Sequence, residues 1–159
     1  MKKDRERREK LPNFFIVGAA KSGTTSLYHH LCQHLDVFMS PVKEPHYFSR
    51  DVGVRSFKAD DTKSIFANLR GYIDFILKSR FYILNFEKYK RLFSNVKNEK
   101  AIGEASVSYL VSKVAAEEIY KFNPDAKIII ILRNPVKRAF SHWLMDLRIG
   151  HVSNPIIAE

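Results

Sequence analysis

Two glycines five positions apart, Gly18 and Gly23, close the stretch FIVGAAKSGTTS with the spacing of a phosphate-binding loop, G-x-x-x-x-G-K-[ST]. Thr24 stands where that pattern has lysine, and the cation sits inside the loop as Lys21. A helix N-terminus offers unpaired N–H groups and a partial positive charge, and glycine lets the backbone curl closely around an anion. Lys21, Ser22, Gly23, Thr24, Thr25 and Ser26 therefore supply one cation, four hydroxyls and a run of amides to a single anion. The glycine spacing alone also fits a plain turn capped by threonine. The hydroxyl-rich continuation shifts the weight toward anion binding.

Two further stretches carry chemistry. In RNPVKRAFS, Arg133 has the fork for a bidentate grip on an anion, and Ser141 follows eight residues later as a neutral donor. Lys137 and Arg138 read as solvated helix charges. In KEPHYF, Glu44 and His46 lie two residues apart between prolines, a spacing that in extended backbone turns both to one side. A carboxylate there can take a proton from a hydroxyl or amine. Standing alone, Arg133 also fits a helix-terminal ion pair, Lys43 and Glu44 fit solvated surface charges, and His46 fits a polar residue with its hydrogen bonds satisfied.

These groups need elements to hold them. Asn13–Val17 is a short apolar run ending in glycine and reads as a buried strand. Leu27, Leu31 and Leu35 give Thr24–Leu35 helical spacing, with Cys32 as a small apolar filler on its face. Helical spacing recurs over Thr62–Leu69, Tyr72–Leu77, Phe86–Phe93 and Val111–Phe122, the last stopped by Asn123-Pro124-Asp125. Ala101–Glu104 reads as a short strand and Lys127–Leu132 as the clearest one, running into a helix with Pro135 in its first turn. Phe140, Trp143 and Leu144 on that helix read as sheet-facing packing. Strand, loop and helix in this order make a parallel sheet with helices on its faces, and ligands of such sheets collect beyond the carboxyl ends of the strands. Both candidate anion loops fall there.

With 159 residues, 45% hydrophobic and 28% charged, the chain is one domain with a real core, over 11–159, preceded by a basic arm over residues 1–10. The net charge of +10 favours an anionic partner without naming it. No apolar run approaches the ~20 residues of a membrane span, and neither a signal peptide nor an anchor is expected. The single cysteine excludes an intrachain disulfide and a cysteine-based zinc site, and favours a reducing compartment, the cytoplasm, with a Golgi lumen still open.

The order FIVGAAKSGTTSLYHHL, PVKEPHYF, GEASVSYL and IIIILRNPVKRAFSHWLM resembles the sulfotransferases that use 3′-phosphoadenosine 5′-phosphosulfate (PAPS), in their bacterial and glycan-directed style. The resemblance covers Leu11 to about Arg148. It implies a P-loop-like three-layer α/β/α fold with a parallel central sheet, here truncated at the C-terminus because such enzymes usually continue with a further nucleotide-binding loop. It implies that KSGTTS holds the 5′-phosphosulfate, with Lys21 reaching the bridging oxygen, and that Arg133 and Ser141 hold the 3′-phosphate. By the same resemblance Glu44 is the catalytic base, His46 its helper, and Glu104, Ser106 and Tyr109 wall the acceptor pocket; Val107 replaces a proline frequent in the family. The reaction implied is metal-free in-line transfer of a sulfuryl group to a hydroxyl or amine, with carbohydrate the favoured acceptor and neither nucleic acid nor a membrane span as a partner. A sulfuryl group carries less charge than a phosphoryl group, so lysine can serve where a kinase needs magnesium.

Three alternatives remain open on sequence: an inactive truncated domain that still binds nucleotide, a P-loop kinase or NTPase, and a non-catalytic anion-binding module. Thr24 in the lysine position weighs against the kinase. Aromatic residues at core spacing, instead of interleaved with Lys and Arg, weigh against a nucleic-acid module.

Overall fold

The computed structural model describes residues 11–52 and 83–150. The basic arm and the segments Thr62–Leu69 and Tyr72–Leu77 lie outside the described residues. Within them the elements run β1 (Phe14–Gly18), α1 (Thr24–Leu31), β2 (Val37–Met39), α2 (Phe86–Arg91), β3 (Ala101–Ala105), a 3₁₀ turn (Val107–Leu110), α3 (Ala115–Phe122), β4 (Lys127–Ile130) and α4 (Pro135–Arg148).

All strands are parallel, in the order β2-β3-β1-β4. The apolar run of β1 places it at the centre, paired on both sides and buried along its whole length. Strand residues alternate between faces. Phe14 and Ile16 therefore join Tyr28 of α1 and Met39 on one side, while Phe15 and Val17 join Tyr89 and Phe93 from α2 and beyond, with Ala115 and Ile119 of α3, on the other. Helices thus cover both faces, giving the expected three-layer α/β/α arrangement. Gly103 allows the close packing on the first face, since a Cβ there would come within 2.1 Å of the Phe14 ring and 2.6 Å of the Met39 sulfur.

Several boundaries differ from the sequence reading. Helix α1 stops at Leu31, and Leu35 is 96% exposed. Cys32 is exposed as the cap residue of that helix, so it fills no core space. The expected helix over Val111–Phe122 divides into the 3₁₀ turn and α3, because the Ser112 hydroxyl accepts from the Val114 and Ala115 N–H groups and restarts the helix there.

The largest difference concerns α4. Its start agrees with the sequence, with Pro135 in the first turn and the Asn134 side chain accepting from Val136 and Lys137 N–H at 3.1 and 3.2 Å. No residue of α4 is buried against the described residues, and Phe140 is 54% exposed, so the expected packing of Phe140, Trp143 and Leu144 on the sheet is not formed there. Phe140 and Trp143 pack on each other instead, with ring centroids 5.7 Å apart.

Candidate active site

Parallel strands put all four carboxyl ends on one rim, and each end delivers a different piece of the site. β1 leads into the phosphate loop, β2 into the segment holding Glu44 and His46, β3 into Ser106–Tyr109, and β4 into Arg133. Neighbouring strands lie ~4.8 Å apart, which fixes the spacing of these pieces without any contribution from the loops.

The phosphate loop is joined to β4 at its start. Ala19 N–H donates to the Ile131 carbonyl and Ile131 N–H to the Gly18 carbonyl, both at 2.8 Å. Gly23 precedes α1 with φ 101°, a left-handed conformation that glycine adopts without steric cost. No side chain caps α1 and its first turn has no acidic residue, so its leading N–H groups are available to an anion. Thr24 is buried, Lys21 and Ser22 are half-buried, and Gly23, Thr25 and Ser26 are exposed. The buried Ser22 Oγ has no hydrogen-bond partner among the described residues. Buried hydroxyls nearly always have one, which marks this loop as a candidate for ligand binding.

Arg133 reaches across to the same loop. Its Nη1 donates to the Lys21 carbonyl at 3.2 Å, which brings the two anion-reading stretches of the sequence together and leaves the rest of an exposed guanidinium to face solvent or ligand. Ser141 lies half-buried on α4 and makes no hydrogen bond to Arg133 or to the loop.

The segment after β2 is anchored at several points. Ser40 N–H donates to the Gly103 carbonyl and Glu44 N–H to the Ala105 carbonyl, each at 2.8 Å, and the Tyr28 hydroxyl of α1 donates to the Ser40 carbonyl at 2.7 Å. Glu44 Oε2 accepts Val107 N–H at 2.8 Å while Oε1 holds Lys43 Nζ at 2.6 Å. His46 Nδ1 lies 2.7 Å from Ser108 Oγ and 3.9 Å from Glu44 Oε2. Burial lowers the His46 pKa below its ordinary value, against the pull of Glu44 and with the push of Lys43. The ring is therefore neutral at pH 7, able to orient or to pass a proton.

Glu44 and His46 do meet, but not through extended backbone. Both are left-handed, with φ 60° and 56°, and Lys21 has φ 64°. These three are the non-glycine residues with positive φ among the described residues, and they are the three that sequence reasoning named as catalytic. Such conformations cost of order 1–3 kcal/mol each and persist where the surroundings enforce them, often at functional sites.

Glu104 and Ser106 face the interior and wall no pocket, whereas Tyr109 lines a cavity with Val17, Leu110 and Ile119, away from Glu44 and His46. Glu104 and Ser106 are fully buried and Tyr109 is 4% exposed. Glu104 accepts from the hydroxyls of Tyr89 (2.6 Å), Tyr109 (3.0 Å) and Ser106 (2.6 Å). Sequence reasoning passed over Tyr89, Ser108 and Ser49, which belong to this network or to its edge, the last with Oγ 2.7 Å from Ser108 Oγ. Tyr89 looked like core at helical spacing, and its ring is indeed core; only its hydroxyl tells otherwise.

The signature of the sulfotransferase family matches residues 12–154, nearly all of the described fold. The chain belongs to the sulfotransferase family. A crystal structure of a sulfotransferase from Alicyclobacillus acidocaldarius is 40% identical with a TM-score of 0.72, covering 91% of this chain and 53% of that one. Carbohydrate sulfotransferase 15 of Mus musculus is 31% identical over 153 residues, 84% of this chain and 27% of its own. The membrane-associated sulfotransferase kil1 of Dictyostelium discoideum is 31% identical over 138 residues, 87% and 24%. This sulfotransferase-family chain thus spans about a quarter of the length of those curated relatives and about half of the solved one. No helix among the described residues is long and apolar enough to cross a membrane.

Proposed function

We propose that this chain binds PAPS at the rim of the sheet and directs sulfuryl transfer to a hydroxyl or amine of a carbohydrate. The observation that carries the reading is the Arg133–Lys21 contact, which joins the two anion-reading loops into one surface. The residues fit the nucleotide: the unpartnered Ser22 Oγ and uncapped α1 suit its 5′-phosphosulfate, and Arg133 suits its 3′-phosphate, the role the family resemblance also gives to Ser141 on α4.

Bound there, the nucleotide supplies an activated sulfuryl group. Lys21, set inside the loop by its left-handed backbone, offsets the charge that grows on the phosphate side, with the first amides of α1 and the hydroxyls of Thr24, Thr25 and Ser26 assisting. Positive charge from side chain and backbone makes a metal unnecessary in this scheme. Glu44, with one donor fixed on each oxygen, keeps lone pairs for the acceptor proton. Neutral His46, held against Ser108, orients the acceptor or relays that proton. The carbohydrate acceptor is supported by the likeness to carbohydrate sulfotransferase 15 and by the family resemblance of the Glu44 segment. Cytoplasmic placement is supported by the sole, exposed Cys32, which suits a reducing compartment.

Calorimetric titration with adenosine 3′,5′-bisphosphate, beside Lys21→Ala and Arg133→Ala, tests the reading first. Micromolar binding, ~8 kcal/mol, lost in both variants supports it. PAPS-dependent labelling of carbohydrate acceptors, unaffected by a chelator, is the second step. A folded chain that binds the nucleotide no better than it binds ATP would reject the assignment.

A further inference from the structure

Glu104 has no part in the chemistry above, yet among the described residues it is the one fully buried carboxylate. A residue needed only to fill space there would be apolar, because burying a carboxylate costs several kcal/mol unless its oxygens are satisfied. Three hydroxyls satisfy it, from α2, from the residue after β3 and from the 3₁₀ turn.

Two of those hydroxyls continue outward. Ser106 Oγ, whose hydroxyl donates to Glu104, accepts the His46 N–H at 3.1 Å, and Tyr109 Oη accepts the Phe48 N–H at 3.3 Å. Glu104 thus commands the main chain on both sides of Tyr47. In its ionised form the Glu104 carboxylate can only accept, so it turns both hydroxyls inward and leaves their lone pairs to these N–H groups. The stretch so held includes His46, whose left-handed backbone aims its ring at Ser108 and Glu44.

We infer that Glu104 is a positioning residue for the acceptor side, acting through Ser106 and Tyr109 to hold the left-handed turn that presents His46 and Glu44. The inference rests on the reading of Glu44 and His46 as the acceptor-side groups. Charge links the two carboxylates as well: burial raises the Glu104 pKa to about 7 against the three hydroxyls, and the nearby Glu44 charge adds to the rise. Among the described residues no hydrogen bond joins the donor loop to this network, so a nucleotide affinity independent of it is expected.

Glu104→Gln and Ser106→Ala in the full chain test the assignment by three readouts. Affinity for adenosine 3′,5′-bisphosphate stays within about 2-fold of wild type in both, whereas turnover falls about 10²-fold at unchanged KM for the donor, the scale expected for a misplaced catalytic group. The NMR signals of the His46 ring, identified by their loss in His46→Asn, shift in both variants. His46 signals that stay in place in the folded variants while only thermal stability drops would overturn the inference, since Glu104 would then be a core residue and nothing more. Should Glu104→Gln not fold, Ser106→Ala decides alone, because it cuts the link and leaves the carboxylate its tyrosines. If wild type sulfates nothing yet the His46 signals move, the positioning role stands and the proposed reaction fails.

Discussion

The donor loop and the acceptor segment follow β1 and β2, parallel strands separated by β3, and are built in opposite ways. The donor loop is made of main chain and short hydroxyls, with an uncapped helix, an unpartnered Ser22 Oγ and a single long-range side-chain bond, from Arg133. The acceptor segment is held by side chains at almost every step, from Lys43 on Glu44 to Ser106 on His46 and Tyr109 on Phe48. A loop left unsatisfied waits for a ligand to complete it. On the proposed reading, a segment satisfied internally fixes the direction of the proton acceptor before any ligand arrives, the preorganisation that catalysis needs.

The contrast can be broken from either side. Glu44→Gln has the largest expected effect, a loss of about 10³ in turnover with the nucleotide affinity intact, as for removal of a general base. Turnover within 10-fold of wild type at saturating substrates would assign the base elsewhere. Lys21→Ala follows, with a loss of about 10²–10³ from a missing electrostatic donor, and here nucleotide affinity falls too. A Lys21→Ala variant with full nucleotide affinity and normal turnover removes the loop from the mechanism.

The next effect is on stability against pH. The Glu104 carboxyl has a folded pKa of about 7, above its ordinary 4.5. The fold then binds the proton more tightly than the unfolded chain, so this contribution is complete below about pH 4.5 and is lost as pH rises through about 7, a change of about 3 kcal/mol. His46, whose pKa is lowered, works the other way: its contribution is present above its ordinary value and is lost as pH falls. Denaturant midpoints of wild type minus Glu104→Gln across pH 4.5–8 isolate the first; parallel profiles would contradict it.

Smaller effects sharpen the comparison. Tyr89→Phe removes one donor from a buried carboxylate and costs about 1–3 kcal/mol in a denaturant titration, although the ring remains packed. Ser22→Ala removes a hydroxyl that has no partner, so it leaves stability unchanged within about 0.5 kcal/mol and lowers anion affinity several-fold. A Ser22→Ala protein as destabilised as Tyr89→Phe would erase the difference between the two regions.

The fold was legible wherever period and punctuation agreed. β1 and β4 are apolar runs bounded by polar or glycine residues, and α4 starts where Asn134-Pro135 says it must. Legibility failed where a side chain outside the period intervened. Ser112 restarts a helix that spacing alone drew as continuous, and α1 ends a turn before Leu35 would have extended it. On the site, residue identity singled out the candidate donor loop, because a glycine-bounded stretch rich in hydroxyls at a helix N-terminus offers donors to an anion.

The sequence by itself determined the parallel α/β architecture and named the candidate anion loop and proton-handling residues, since these follow from local spacing and chemical type. Only the tertiary structure decided that Glu44 and His46 meet through left-handed turns and not along a strand, that Glu104 lies beneath them instead of facing a pocket, and that Arg133 closes on Lys21. The partners involved lie up to 112 residues apart along the chain, and pairing at that distance depends on the strand order β2-β3-β1-β4, which no local pattern encodes.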